Sequence, residues 1–520
     1  MNKEEILSQM LNVWQTVQEK KEQYCSCFGP GGIGESTRFN RQEHEMSSFR
    51  SMDATDHRRA PQEGEVQEYD EFDADKVNQI DSTFDEHGME AGVKISEWQA
   101  GWNVTNAIQG MFIVSLPYAV LHGGYWGIFA LIFVAYICCY TGKILVASLY
   151  ELNEKGEWVR VRDSYVAIAE EVIGERIGGK MVNTAQIIEL LMTCILYVVL
   201  CGDLMIGSFH ELGIDQRSWM MISSMFLFPC AFLKNMKAVS LLSFWCTISH
   251  IIINVIILGY CLLRIGDWYW SKVTFRFDSA TFPITLGIVV FSYTSQIFLP
   301  TLEGTMKDRS RFHCMLDWSH IAAAAFKALF AYVGFLTFGD ETQEVITNNL
   351  PTRGFKMLVN LTLVAKALLA YPLPFYAAAG LIEKACFRAK PTDEHPHGEG
   401  PQPFPTCWER DGEFRVWAVA LRVLLVLVTL LFAMSIPHFA ILMGLIGSFT
   451  GTMLSFVWPC YFHMRLKWDS LQFSTIVWEV FIICIGIVCG IIGIVTSFNA
   501  LIDAFHLPLP YAPGKHPIQG

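Results

Sequence analysis

Charge is what this chain has least of. Only 17% of its 520 residues are Asp, Glu, Lys or Arg, against about 25% in ordinary soluble domains. A soluble globular class is thereby excluded for most of its length. The opening stretch, "MNKEEILSQMLNVWQTVQEKK", lacks the apolar core of a cleavable signal peptide and reads at most as an amphipathic helix. The first membrane segment is therefore expected to act as its own insertion signal. The fifteen cysteines show no paired metal-ligand spacing, and most fall in apolar runs, where they behave as small hydrophobes. "CSC" at Cys25 to Cys27 offers a palmitoylation site beside that amphipathic segment. "DEHPH" at Asp393 to His397 lies in a loop that would not organise a metal site. No nucleophile–base pair or phosphate loop stands out, so neither an enzyme, a cofactor nor a nucleic-acid partner is expected.

What is present is hydrophobicity, 52% of the chain, with a positive mean hydropathy. Apolar runs of roughly 20 residues recur, the length a ~30 Å hydrocarbon core demands of a helix. Eleven are expected, near 102–121, 124–150, 181–207, 218–234, 239–264, 283–305, 319–338, 355–386, 414–436, 438–465 and 473–505. Lys and Arg cluster in alternate short loops (Arg160, Arg162, Lys180, Lys307, Arg309, Arg311, Arg465, Lys467). That asymmetry predicts a cytoplasmic N-terminus, and eleven spans then put the C-terminal tail in a lumen or outside. The net charge of −12 concentrates in an acidic tail, "EGEVQEYDEFDADKVNQIDSTFDEHGMEAG". Such a stretch buries too little apolar surface to offset its ordering entropy, so residues 1–95 read as a largely disordered tail and a possible binding region for sorting adaptors.

The first span is the anomaly. "WNVTNAIQGMFIVSLPYAVLHGG" carries Asn103, Thr105, Asn106 and Gln109, then Gly110 and Pro117. One reading is close helix packing at the glycine and a kink at the proline. The sixth span argues for more. It reads "IVVFSYTSQIFLPTLEGTM", with Ser292, Tyr293, Thr294, Ser295 and Gln296 in mid-membrane, and closes on the same cadence, "IFLPTLE" against "VSLPYAV". Seven residues before each proline stand Gly110 and Tyr293. Two interrupted helices, each first in a set of five, are the sequence mark of an inverted-repeat transporter. The expected architecture is an all-α membrane protein with a 5+5 repeat: spans 1–5 over 96–265, spans 6–10 over 266–465, span 11 over 466–505, and a tail at 506–520. A broken helix exposes unpaired N–H and C=O groups. Those following Gly110 suit a carboxylate at a positive dipole end, and unwound carbonyls suit an ammonium. Substrate contacts are accordingly expected from Asn106, Gly110, Met111, Phe112, Ser292, Tyr293, Ser295 and Gln296.

"VTNAIQGMFIVSLPYAVLHGG", "CCYTGKIL", "RVRDSYVAIA", "NTAQIIELLMTCILYVVL", "LFPCAFLKNMKAVS", "FSYTSQIFLPTLEG" and "AKALLAYPLPF" resemble the amino acid/auxin permease family, from about Lys94 to Asp503. The resemblance is strongest to members that fill synaptic vesicles with small inhibitory transmitters. It implies secondary active transport of GABA and glycine, with β-alanine a further candidate, into acidic vesicles by exchange with protons. Chloride co-entry is a rival coupling, and a plasma-membrane amino acid permease is the alternative function. Many relatives carry a second glycine where this chain has Phe112. The ring either narrows the pocket or faces a neighbouring helix.

Charges within spans are costly and are default functional candidates. Lys366, Glu189 and Glu303 are expected to carry ion coupling. Some proton-coupled relatives place a lysine ammonium between spans one and eight, a part Lys366 could take. A static Lys–Glu pair is the other reading. Lys143 and Lys327 are expected to snorkel to the nearer surface, Asp203 and Glu479 to lie near interfaces, and Arg422 has no assigned partner.

Overall fold

The structure, a computed structural model, describes residues 95–506 except 155–157, 230–235, 274, 276, 277, 279, 280, 387–415 and 437. The acidic tail, Cys25–Cys27, Asp393–His397 and the C-terminal tail lie outside the described residues.

Helix occupies at least part of each of the eleven predicted runs, with 230–234 of the fourth and 414–415 of the ninth outside the described residues. Among the described residues seven helices are long and apolar enough to cross a bilayer, and Ile251–Leu263 and Phe282–Tyr293 are shorter apolar pieces. With no water to satisfy backbone groups in hydrocarbon, a spanning segment must close its hydrogen bonds internally, which is why the runs are helical. Their outward faces are apolar too: Phe129, Met225, Leu431 and Ile491 are all exposed. In water such faces would be a liability. In lipid they match the solvent.

The first helix, α1 (Glu97–Gln109), starts on a capping box in which Ser96 and Gln99 satisfy each other's backbone N–H. It stops at Gly110. A tight turn, Met111–Ser115, leads into α2 (Leu116–Ala147), with Pro117 in its first turn. Within this range the second half of span one ends and span two begins at Gly124, whose non-helical φ of 54° only glycine adopts readily. A hairpin follows, β1 (Tyr150–Leu152) against β2 (Trp158–Arg160), then the short α3 (Tyr165–Ile173). Spans three to five are α4 (Gly178–Ser208), α5 (Gln216–Leu227) and α6 (Met236–Leu263).

Span six is discontinuous, as expected. Its halves, α7 (Phe282–Tyr293) and α8 (Leu299–Thr305), are separated by five residues, 294–298, that leave the α-helix and close in a turn. Span seven, α9 (Phe312–Phe338), starts seven residues earlier than its apolar run suggests. Span eight divides at Tyr371 into α10 (Arg353–Ala370) and α11 (Pro372–Cys386), and span nine is α12 (Val416–Ser435). Span ten runs from α13 (Phe439–Ile446) through two π-helical segments, Gly447–Gly451 and Met453–Val457, into α14 (Trp458–Lys467). The last helix is α15 (Phe473–His506).

Small residues set the central packing. A Cβ on Gly287 of α7 would strike the Gly444 carbonyl, and one on Gly447 would strike the Gly287 carbonyl. Spans six and ten therefore meet backbone to backbone, the close approach that glycine permits between membrane helices. Around this contact, α7 also packs on α2 and α15, while α9 packs on α1 and α2.

Candidate substrate site at two helix breaks

The break in span one is made by Gly110, with φ −20° and ψ 176°. Its carbonyl accepts only a long bond, 3.4 Å, from the Ile113 N–H. Met111 next to it is buried. The Phe112 ring is held by aromatics from three other helices: Tyr197 of span three at 5.4 Å, Phe291 of span six at 5.1 Å and Phe439 of span ten at 6.0 Å between centroids. Through Phe291 it links the two breaks. The Asn106 side chain lies outside the described residues.

The break in span six is built differently. Ser292 Oγ donates to the Val289 carbonyl at 2.7 Å and Thr294 Oγ1 to the Val290 carbonyl at 3.2 Å. Both hydroxyls thus turn back onto the last turn of α7. Gln296 is completely buried and bonded at both ends of its amide. Its Oε1 accepts from the Ser295 N–H at 3.0 Å and from Ser455 Oγ at 2.8 Å. Its Nε2 donates to the Cys138 carbonyl and to Thr141 Oγ1, each at 3.3 Å. One side chain thus ties the unwound segment to spans two and ten. The Tyr293 hydroxyl and Ser295 Oγ are buried beside it and have no hydrogen-bond partner among the described residues. Burying a polar group unpaired costs about 1–3 kcal/mol. Two together in a helix break make this the natural place for a polar ligand.

The structure corrects several expectations about charge. Lys327 does not snorkel. It is fully buried, its ammonium donates to the Ser292 carbonyl, and it lies 3.8 Å from the centroid of the Tyr293 ring. The error came from span seven's early start, which places Lys327 in mid-helix. Lys143 pairs with Asp317 at 2.6 Å. That pair is what lets α9 continue through a sequence too polar to look like membrane. Glu479 is fully buried and accepts from the Tyr140 hydroxyl at 2.9 Å with His463 Nδ1 at 2.7 Å. Asp203 accepts from Asn348 at 2.9 Å. Arg422 gains an explanation: it pairs with buried Glu383 at 3.1 Å and stacks over Tyr376.

The three residues assigned to coupling lie apart. Glu303 is buried on α8 and accepts from the Tyr150 hydroxyl, with Arg160 at 3.4 Å and Arg309 at 3.8 Å. It sits in an ion-pair cluster formed with the β1–β2 hairpin. Glu189, buried in span three, accepts from Thr450 in the first π segment. Lys366 is buried on α10, the helix packed against α4, which carries Glu189. Among the described residues no group of His, Cys, Asp or Glu could hold a metal ion.

Sequence reasoning also missed Glu344. Its backbone carbonyl accepts from Ser115, at the end of the span-one turn, and its carboxylate accepts from the Ala440 N–H at 2.9 Å. It thereby caps the first turn of α13, a favourable place for an anion. Nothing local in "DETQEVITNN" marks that role.

The family described as transmembrane amino acid transporter protein matches residues 93–499. A vesicular inhibitory amino acid transporter of Xenopus tropicalis is 56% identical over 416 residues, covering 79% of this chain and 78% of that protein. Its counterpart in Homo sapiens is 55% identical, with 79% and 77% covered. A vesicular GABA transporter of Caenorhabditis elegans is 47% identical over 432 residues, covering 83% and 85%. The chain belongs to the transmembrane amino acid transporter family.

Proposed function

We propose that this amino acid transporter loads GABA and glycine into acidic vesicles, exchanging each molecule for lumenal protons. The observation that carries the reading is the pair of helix breaks facing each other across the Phe112–Phe291 contact, with the buried unpartnered hydroxyls of Tyr293 and Ser295 at one of them. The names of the relatives supply the vesicle and the substrate class. A zwitterion needs donors and acceptors together, away from bulk water, and broken helices offer both. Gly110, Met111 and Phe112 border the site from span one, and Ser292, Tyr293 and Ser295 from span six. Asn106 joins them from the last turn of α1. Gln296 shapes the site by holding the break open.

Proton coupling is assigned to Glu189 and to Lys366 on the helix packed against span three. Glu303, with its arginines, closes the basic end, which this reading places in the cytoplasm along with the acidic tail and any sorting adaptors. The energetics suffice. One pH unit supplies ~1.4 kcal/mol per proton. A further ~1.2 kcal/mol per charge comes from ~50 mV inside-positive, and the two support a roughly 70-fold gradient.

Uptake of labelled GABA and glycine into proteoliposomes, with pH gradient and potential imposed separately, tests this. Accumulation driven by either gradient is expected, and Lys366→Met should abolish the pH-driven part while leaving substrate binding within about threefold. Uptake that ignores both gradients, or that requires only inward chloride, would overturn proton exchange.

A further inference from the structure

Lys327 carries its amine into a place where, among the described residues, no acid meets it. It is fully buried, and its two contacts are the Ser292 carbonyl and the face of the Tyr293 ring. Among the described residues no carboxylate pairs with it. Buried Arg422, by contrast, has Glu383 at 3.1 Å to offset its charge. A carbonyl dipole and an aromatic face each attract an ammonium, but neither neutralises it. Stranding such a charge costs several kcal/mol, so it is retained where it acts.

The surroundings are those of a ligand site. Both contacts lie at the edge of the span-six break, next to the unpartnered Tyr293 hydroxyl and Ser295 Oγ. The helix that carries Lys327 also packs against α1 and the Met111–Ser115 turn, so it touches both halves of the interrupted first span. A carboxylate placed between the breaks could accept from the ammonium, from the Tyr293 hydroxyl and from the N–H groups after Gly110. Its charge would complete the set.

Resting on the transport reading above, we infer that Lys327 is the specificity-determining cation that receives the carboxylate of the transported amino acid. The ammonium of the substrate then turns away from Lys327, toward unwound backbone carbonyls. Selectivity for molecules bearing a carboxylate, whatever the spacing to the amine, follows from this arrangement. A single fixed cation reads the acid end of glycine and of GABA alike.

The test is competition binding to purified full-length protein, using labelled GABA displaced by unlabelled GABA or by propylamine. Propylamine keeps the carbon chain and ammonium and lacks the carboxylate. Wild type should prefer GABA strongly. In Lys327→Met, GABA affinity should fall roughly 10- to 100-fold, the loss of one charge-assisted hydrogen bond, while propylamine affinity stays within about threefold. Lys327→Arg keeps the charge and should keep the preference. It also serves if the methionine variant does not fold. Equal loss of both ligands in Lys327→Met, or loss of the preference in Lys327→Arg, would show a purely structural lysine. Repeating the series with chloride replaced by gluconate separates the two anions. If Lys327→Met abolishes a chloride dependence but leaves the preference for GABA over propylamine intact, Lys327 holds chloride and the inference fails. Wild type that binds neither GABA nor glycine would instead defeat the transport reading.

Discussion

The two breaks share a cadence in sequence and differ in how they are held. At span six, side chains brace the unwound segment from all sides: Gln296 reaches spans two and ten, Lys327 reaches the Ser292 carbonyl, and Thr294 folds back onto Val290. At span one, Gly110 has no side chain, its carbonyl makes one long bond, and the neighbouring Phe112 is held by ring contacts alone. Hydrogen bonds fix direction and distance, whereas aromatic packing tolerates sliding. Span six is therefore the rigid wall of the site. Span one, in the proposed reading, is the face that offers a ligand open backbone.

Removing the brace should have the largest effect. Gln296→Leu strands Ser455 Oγ and the Ser295 N–H, at about 1–3 kcal/mol for each buried group left unpaired. A drop in thermal stability of several degrees and loss of transport are expected. A variant as stable as wild type would mean that the span-six break needs no brace. Gly287→Ala comes next. Its methyl would meet the Gly444 carbonyl, and such overpacking typically costs about 1–3 kcal/mol. Reduced stability in the same thermal assay is expected, and an unchanged midpoint would show that spans six and ten can part freely. The smallest effect should fall at the looser break. Phe112→Gly removes the ring but no hydrogen bond, so large neutral amino acids should compete about tenfold better against labelled GABA. An unaltered ranking would place the ring outside the pocket.

The fold was legible where chemistry leaves a local trace. Run length marked the spans, and Gly110, Pro117 and the polar run from Ser292 to Gln296 marked both interruptions before any coordinates. The π segments of span ten were not legible, because "GSFTGTMLSFV" reads as ordinary helix; the close packing of Gly447 on Gly287 belongs to the tertiary structure. Lys327 was misjudged for a related reason. Depth was counted from the apolar boundary near residue 319, but Lys143 neutralises Asp317 across the helix pair and moves the true start to Phe312. A sequence shows how far a charge lies along its own helix. Its partner on another helix decides whether that charge is at a surface or in the core.

The most direct measurement of where the ligand sits is equilibrium binding of labelled GABA to Gly110→Leu beside Gly110→Ala. A methyl at 110 would find its nearest neighbours, the Ala107 carbonyl and the Phe112 ring, at 3.6 Å, so alanine fits and should bind within about threefold of wild type. Leucine would fill the break, and binding should fall by at least about 100-fold in protein that stays folded and monodisperse. Wild-type affinity in Gly110→Leu would contradict the account, because the open backbone of span one would then have no part in holding the amino acid.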